Sequence, residues 1–285
     1  MKKLLCIILL ITVIMSFTGC SIPYVDNLFG TTKDANAEEQ ITPPGEKTIV
    51  VVLDISGSTD VAFATSVRQA LSQKVATDLV PPKPNKEDGV AAIDKYRIYV
   101  QLIGSPNSTV YTEALKSNLL FEIPAVPGLA RRPDVPEEGA TDDYIERYSE
   151  WKKSGELWSQ KYDESLNQTS VVSQQILQID LIPKNDGDIS GVESAVITAL
   201  NATTSPNLSL IIFSDLLENG QTAQLVTPTG KKGKAILVTP APDGDLVSAK
   251  ERTEKFTSQL VSWGFDNVEV FNAQTVTESI NRIFE

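Results

Sequence analysis

The segment TIVVVLD at residues 48–54 places five consecutive aliphatic residues directly before an aspartate. A strand without polar alternation is buried on both faces, as in parallel sheets that helices cover on both sides. The apolar residues of the next segment, 60–80, recur at the helical steps of three and four: Ala64, Val67, Leu71, Val75 and Leu79. The two segments together predict an α/β fold in which a buried strand leads into an amphipathic helix.

The same alternation continues to the last residue. Apolar runs predict strands at 96–104, 208–218, 234–242 and 267–273, and an edge strand at 108–115. Two later helices are indicated by their periodic apolar residues: Phe256, Leu260 and Trp263 in the first, and Val276, Ile280 and Ile283 in the second. We therefore expect one domain at 47–285 with a doubly wound, mostly parallel central sheet and helices on both faces, as in Rossmann-like folds.

The region at about 124–182 departs from this simple alternation. It begins with the Pro/Gly-rich stretch PAVPGLARRPDVPEEG, which predicts a loop, and continues through a charged, aromatic stretch that predicts a helix. Ile145, Tyr148, Leu157 and Tyr162 are among the apolar residues of that stretch. The region is interpreted either as a long surface helix packed on the sheet or as an insertion that contacts a partner.

The composition excludes several classes of function. With 25 basic and 37 acidic residues, the formal net charge of −12 argues against binding to a nucleic-acid backbone, which requires a basic face. The chain contains no histidine, and its two cysteines are Cys6 and Cys20. Histidine-dependent catalysis, histidine metal sites and thiolate chemistry in the body of the protein are therefore excluded, and a bound metal would be held by oxygen.

The N-terminal segment has the layout of a secretory signal peptide. Lys2 and Lys3 precede an uncharged apolar run at 4–17, which is shorter than the roughly 20 residues that span a bilayer. The ending FTGC resembles the lipobox of bacterial lipoproteins, which implies a signal peptide at 1–19 and lipidation of Cys20. An uncleaved signal anchor, or a signal peptide cut at another site, is the alternative.

The lipobox resemblance implies an exported protein, anchored by lipid to a bacterial membrane and facing the periplasm or the cell exterior. The mature chain would carry 23 basic and 37 acidic residues, a net charge of −14. Stable attachment requires two or more acyl chains. Residues 20–46 have no sustained period and end in Pro43, Pro44 and Gly45, which predicts a flexible tether between the membrane and the domain.

A candidate cation site follows from the residues at the ends of two predicted strands. Asp54 and Asp215 each end an apolar run, and ligands of open parallel sheets bind beyond the carboxyl ends of the strands. Ser56 and Ser58 alternate after Asp54, with Gly57 between them, so that one carboxylate and two hydroxyls can face a common point. Oxygen ligands of this kind favour Mg²⁺, with Mn²⁺ or Ca²⁺ as alternatives. The alternative role for both Asp54 and Asp215 is to cap the helices that follow them.

The sequence DISGS at the end of an apolar strand resembles the Asp-x-Ser-x-Ser signature of von Willebrand factor A domains. The resemblance covers about residues 47–285 and implies a metal-ion-dependent adhesion site built from Asp54, Ser56, Ser58 and Asp215. The family's second element, usually a threonine, falls on Gly187, so we expect the neighbouring Asp188 to supply the oxygen. Asp188 as a helix N-cap is the alternative.

The resemblance implies a binding module that grips an acidic group of a protein partner through the bound metal and catalyses no reaction. One alternative is a Mg²⁺-dependent aspartyl-phosphate phosphatase of the haloacid dehalogenase type. Such an enzyme needs a second acid two residues after the nucleophile, where this chain has Ser56. Another alternative is a solute-binding lipoprotein of a transporter, which would have two similar lobes and a hinge.

Overall fold

The computed structural model describes residues 43–56, 59–103, 119–181, 191–205, 207–217, 226–240 and 246–285, which lie in one compact unit. Six strands run through these residues: β1 (Glu46–Asp54), β2 (Lys95–Ile103), β3 (Leu119–Ile123), β4 (Ser209–Phe213), β5 (Lys234–Thr239) and β6 (Asn267–Asn272). Five α-helices accompany them: α1 (Val61–Asp78), α2 (Asp142–Leu177), α3 (Val192–Ala202), α4 (Leu246–Trp263) and α5 (Val276–Phe284). The predicted helices and the four predicted main strands after β1 are thus all present. β2 has the predicted length of nine residues, whereas β4 covers five of the eleven residues predicted at 208–218.

The strands form one six-stranded sheet in the order β3-β2-β1-β4-β5-β6. All neighbouring pairs are parallel except β2 and β3, which are antiparallel. Chain order runs outward from β1 in one direction and from β4 in the other, so the direction of winding reverses between these two central strands. The predicted α/β fold with a doubly wound, mostly parallel sheet is confirmed.

Alternate residues of β1 face two separate hydrophobic cores. Ile49, Val51 and Leu53 pack with α1, α2 and α5, whereas Val50 and Val52 pack with α3 and α4 on the opposite face. All five aliphatic side chains are at most 2% exposed. Burial on both faces explains why the five residues from Ile49 to Leu53 include no polar side chain.

Helix α2 packs against the fold through its aromatic face. Trp158 and Tyr162 stack on each other and are 1% and 2% exposed. The loop after α1 covers them, because the Tyr162 hydroxyl donates to the Pro81 carbonyl at 2.6 Å and Lys83 lies over the Tyr162 ring. Of the two interpretations of this region, the structure shows the long helix packed on the domain, with these aromatic rings facing inward.

The chain before α2 is an extended strap rather than a free loop. Two antiparallel bridges, Val90 to Leu129 and Ile93 to Val126, join it to the segment that precedes β2. Val126 and Leu129 are buried in the core that contains α2. The Pro/Gly-rich sequence has no strand period, so this pairing was not predicted.

Several predicted features lie outside the described residues. These are the signal peptide, Cys20, most of the tether at 20–46 and the edge strand at 108–115. β3, which follows that segment, is the edge strand next to β2 in the described sheet. Within the described residues, the helices include none that is long and apolar enough to cross a membrane.

Replacement of Trp158 by alanine is expected to lower the free energy of unfolding by about 3–5 kcal/mol, because it removes a fully buried ring from the α2 interface. Leu157→Ala is a matched control in the neighbouring, 46% exposed position and is expected to change it by about 0.5 kcal/mol or less. Urea denaturation of the full chain, followed by circular dichroism, measures both. Equal losses in the two variants would contradict the packing described for α2.

Candidate functional site

Asp54 lies at the carboxyl end of β1, where the sheet reverses its direction of winding. The register pairs Leu53 with Phe213, so the residue across from Asp54 on the neighbouring chain segment is Ser214. Both side chains are buried, with Asp54 0% and Ser214 1% exposed. Open α/β sheets bind ligands in the crevice at this position, which makes the pair the centre of the candidate site.

Hydrogen bonds fix both oxygens of the Asp54 carboxylate. The Ser214 hydroxyl donates to Oδ2 at 2.6 Å, and the Ser56 backbone N–H donates to Oδ1 at 2.9 Å. The Leu216 N–H donates to the Ser214 hydroxyl oxygen at 3.0 Å, which orients that hydroxyl toward Asp54. The loops after β1 and β4 are therefore both attached to one buried carboxylate.

Burial raises the pKa of the Asp54 carboxyl above its ordinary value, because the charged form loses its hydration. The hydrogen bonds from Ser214 and Ser56 act in the opposite direction, and the nearby carboxylate of Asp215 adds to the rise. The site thus brings two carboxylates close enough to repel each other. A divalent cation between them would offset both the repulsion and the desolvation.

Asp215 lies two residues beyond the end of β4, rather than at the strand end as predicted. Its carboxylate accepts a hydrogen bond from the Leu217 N–H at 3.0 Å, and its carbonyl accepts one from Arg252 Nε at 3.3 Å. Leu216, which lies between Asp215 and Leu217, has a φ of 57° and is buried. This left-handed conformation is unfavourable for leucine, so the tight loop that carries Asp215 is held by its hydrogen bonds and burial.

The loop after Asp54 closes on itself before α1 begins. The Thr59 N–H donates to the Ser56 carbonyl at 2.9 Å, and the Thr59 hydroxyl is a buried group for which the described residues offer no hydrogen-bond partner. Asp60 is the N-cap of α1 and accepts from the Ala62 N–H at 2.8 Å. The capping role that was the alternative for Asp54 thus belongs to Asp60, and Asp54 is not a helix cap.

The structure brings together Asp54, Ser56 and Asp215 among the residues predicted for the site. Ser58 and Asp188 lie outside the described residues. The described part of α3 begins after Gly191, which is the N-cap position of this helix. Ser214 was not predicted as a site residue. The signal in the sequence was its position directly after the apolar run of β4.

The oxygen atoms that the described residues place in the site are chemically suited as ligands of a hard divalent cation. They comprise the carboxylates of Asp54 and Asp215 and the hydroxyls of Ser56 and Ser214, all oxygen ligands of the kind that Mg²⁺ accepts together with water. No cluster of three or more acidic, cysteine or histidine side chains that could hold a metal occurs in the described part of the chain. Among the described residues, the candidate ligands are therefore these two acids and the neutral hydroxyls.

Comparisons with known proteins leave the family open. No protein-family model and no curated protein matches the chain. Among solved structures, the chain is similar to the crystal structure of the human COPII-coat protein Sec24c, with 11% sequence identity and a TM-score of 0.36. That match covers 85% of this chain and 33% of the other, so this chain spans about a third of that protein's structure. A likeness this low carries no argument, and the von Willebrand factor A resemblance stays a prediction.

Asp54→Asn is expected to stabilise the protein in EDTA relative to wild type, increasingly so as the pH rises. Because burial raises the pKa of Asp54, the native state binds the proton of this carboxyl more tightly than the unfolded chain does, in which the pKa is about 3.9. The stability that this group contributes to wild type is complete when the pH is below the pKa of the unfolded state. It is lost as the pH rises through the pKa of the folded state. Asparagine has no charge to bury at any pH.

Urea denaturation of both chains between about pH 4 and 8 measures this difference. Asp60→Asn is the control, since it removes one negative charge next to the site while keeping a residue that caps helices well. A stability difference between Asp54→Asn and wild type that shrinks with increasing pH would contradict the burial of a charged carboxylate at this position.

Proposed function

We propose that this protein is a membrane-anchored binding module in which a divalent cation, held at the carboxyl ends of β1 and β4, binds an acidic group of a protein partner. The observation that carries the proposal is the buried Asp54 carboxylate, oriented by Ser214 and Ser56 beside the carboxylate of Asp215. The Asp-x-Ser-x-Ser resemblance to von Willebrand factor A domains gives the same assignment from sequence. The cation would be Mg²⁺, with Mn²⁺ and Ca²⁺ as chemically reasonable substitutes.

The coordination that the cation requires supports a bound acid as the ligand. Mg²⁺ demands near-octahedral coordination by oxygen, and the positions that the protein leaves open would be filled by water or by a further oxygen. The hydrogen bond from the Leu217 N–H to the Asp215 carboxylate uses part of the acceptor capacity of that group. A carboxylate on a partner supplies such an oxygen and completes the coordination.

The same site is a poor candidate for aspartyl-phosphate chemistry. That chemistry requires a general acid two residues after the nucleophile, and this position is Ser56, whose backbone N–H is bound to Asp54. Asp54 is also fully buried, with both carboxylate oxygens already accepting hydrogen bonds. For these reasons we assign the cation to binding and not to catalysis.

The anchoring part of the proposal comes from the lipobox-like ending at Cys20. β1 begins at Glu46, so the tether at 20–46 would connect a lipidated cysteine to the amino end of the central strand. The candidate site lies at the carboxyl end of the same strand. A strand of nine residues separates the two ends by roughly 30 Å, so the tether would join the domain at the edge opposite the candidate site.

Mg²⁺ or Mn²⁺ is expected to raise the unfolding temperature of wild type, and Asp215→Ala is expected to abolish this increase. The reason is that the variant removes one of two carboxylates from the donor set while leaving the Asp54 hydrogen bonds in place. Thermal unfolding with EDTA and with each metal measures the effect. Asp134→Ala is the control, because Asp134 is a highly exposed acid on the strap before α2, and it should keep the full metal-induced increase. An Asp215→Ala protein that retains the increase would remove Asp215 from the site.

Binding to a carboxylate partner is expected to require the cation. Proteins captured from native membranes by the full chain in Mg²⁺ should be released by EDTA and should not be captured by Asp54→Asn. Turnover of p-nitrophenyl phosphate by the full chain is measured in parallel. A metal-dependent turnover that disappears in Asp54→Asn would replace the binding module with a phosphatase.

A further inference from the structure

The hydroxyl of Thr59 has no assigned role in the site described above. Thr59 is 5% exposed, and its Oγ1 is buried with no hydrogen-bond partner among the described residues. A buried hydroxyl in that condition is unfavourable, because it has lost its bonds to water and gained none in return. A bound ion or water would satisfy such a group.

Six other buried hydroxyls in the described residues are satisfied within the fold. Each of the following makes a hydrogen bond to a backbone carbonyl or to another side chain: Ser72, Ser165, Thr169, Thr203, Ser214 and Ser279. The packing of this domain therefore accommodates buried hydroxyls by supplying acceptors. Thr59 departs from this pattern at the loop that follows Asp54.

The local backbone holds Thr59 close to the donors of the candidate site. Its N–H closes a turn onto the Ser56 carbonyl at 2.9 Å, and a turn of this kind keeps the first and fourth Cα atoms within about 7 Å. The Ser56 N–H is in turn bound to the Asp54 carboxylate at 2.9 Å. Two backbone hydrogen bonds thus connect Thr59 to the central carboxylate.

A second hydroxyl without a partner lies at the same edge of the sheet. The Oγ of Ser194 is buried and has no hydrogen-bond partner in the described part of the chain. Ser194 is in the first turn of α3, the helix that leads from this edge back to the start of β4. The two unsatisfied hydroxyls of the described residues therefore both occur where the ligand crevice of a doubly wound sheet is expected.

We infer that the Thr59 hydroxyl belongs to the donor set that binds the divalent cation, in addition to Asp54, Ser56 and Asp215. The inference rests on the function proposed above, because it requires that a cation binds at this site. Hydroxyl oxygens are suitable ligands for Mg²⁺ and Mn²⁺ and also accept hydrogen bonds from the waters that these ions retain. Thr59 then gives the loop after β1 a further neutral oxygen in addition to that of Ser56.

The test is Thr59→Val, which replaces the hydroxyl by a methyl group of nearly the same shape. Titration calorimetry of the full chain with Mn²⁺ is expected to give a dissociation constant at least about tenfold higher than for wild type. In EDTA, the variant should be as resistant to urea as wild type or more so, because it no longer buries an unsatisfied hydroxyl. A hydroxyl with a merely structural role would give the opposite pattern, with lower stability and unchanged Mn²⁺ affinity.

Thr48→Val is the matched control. Thr48 is 4% exposed and lies six residues before Asp54 on β1, about 20 Å from the site, so its substitution should leave the Mn²⁺ affinity unchanged. If Thr59→Val does not fold by circular dichroism, Thr59→Ser and Thr59→Ala take its place. The serine variant should then bind Mn²⁺ at least about tenfold more tightly than the alanine variant.

The possible results separate this inference from the proposed function. Saturable Mn²⁺ binding by wild type that is unchanged in Thr59→Val, or equal in the serine and alanine variants, overturns the role of Thr59 and leaves the cation site standing. Absence of saturable Mn²⁺ binding in wild type overturns both.

Discussion

A carboxylate buried where the sheet reverses its direction of winding is the constraint on which the site depends. The side chain of Asp54 is fully enclosed, and its two oxygens accept hydrogen bonds from loops that follow different strands. Those hydrogen bonds fix the positions of Ser56 and Ser214, and through Ser214 the turn that carries Asp215. A buried carboxylate is unfavourable unless hydrogen bonds and opposite charge stabilise it, so retaining it at this position favours a role for its charge.

The strained loop after β4, which carries Asp215, is also held in place by hydrogen bonds and burial. Leu216 adopts a left-handed backbone conformation directly after Asp215, and hydrogen bonds to the side chains of Ser214 and Asp215 hold the turn on both sides. A turn with glycine at this position would reach the same conformation without strain. The leucine side chain is buried in the core with α3 and α4, so its packing offsets the strain and ties the loop to the rigid part of the domain.

The sequence predicted the fold well because its strongest signals are physical requirements of burial. The unbroken aliphatic run of β1 requires a core on each face, and the periodic residues of α1 all proved to be buried. The strap before α2 and the strand β3 were not predicted. The strap pairs with Val90 and Ile93, and β3 pairs with β2. These partners are distant in sequence, and no local periodicity specifies them.

The site was predicted in part for a similar reason. Asp54 and Ser56 follow a strand that the sequence marks clearly, whereas the role of Ser214 depends on the register between β1 and β4, which no local pattern specifies. Asp215 was predicted as the end of β4 but lies in the loop beyond it, because Ser214 occupies the position across from Asp54. The unsatisfied hydroxyl of Thr59 is a property of packing alone and is invisible in the sequence.

The most direct test of the cation site is a crystal structure of the full chain grown with Mn²⁺, with diffraction data collected at the manganese absorption edge. We expect one anomalous difference peak at the carboxyl ends of β1 and β4, within bonding or single-water distance of the oxygens of Asp54, Ser56 and Asp215. A strong peak elsewhere on the protein, or no peak at a concentration that saturates binding in solution, would contradict the assignment of this buried carboxylate to a divalent cation.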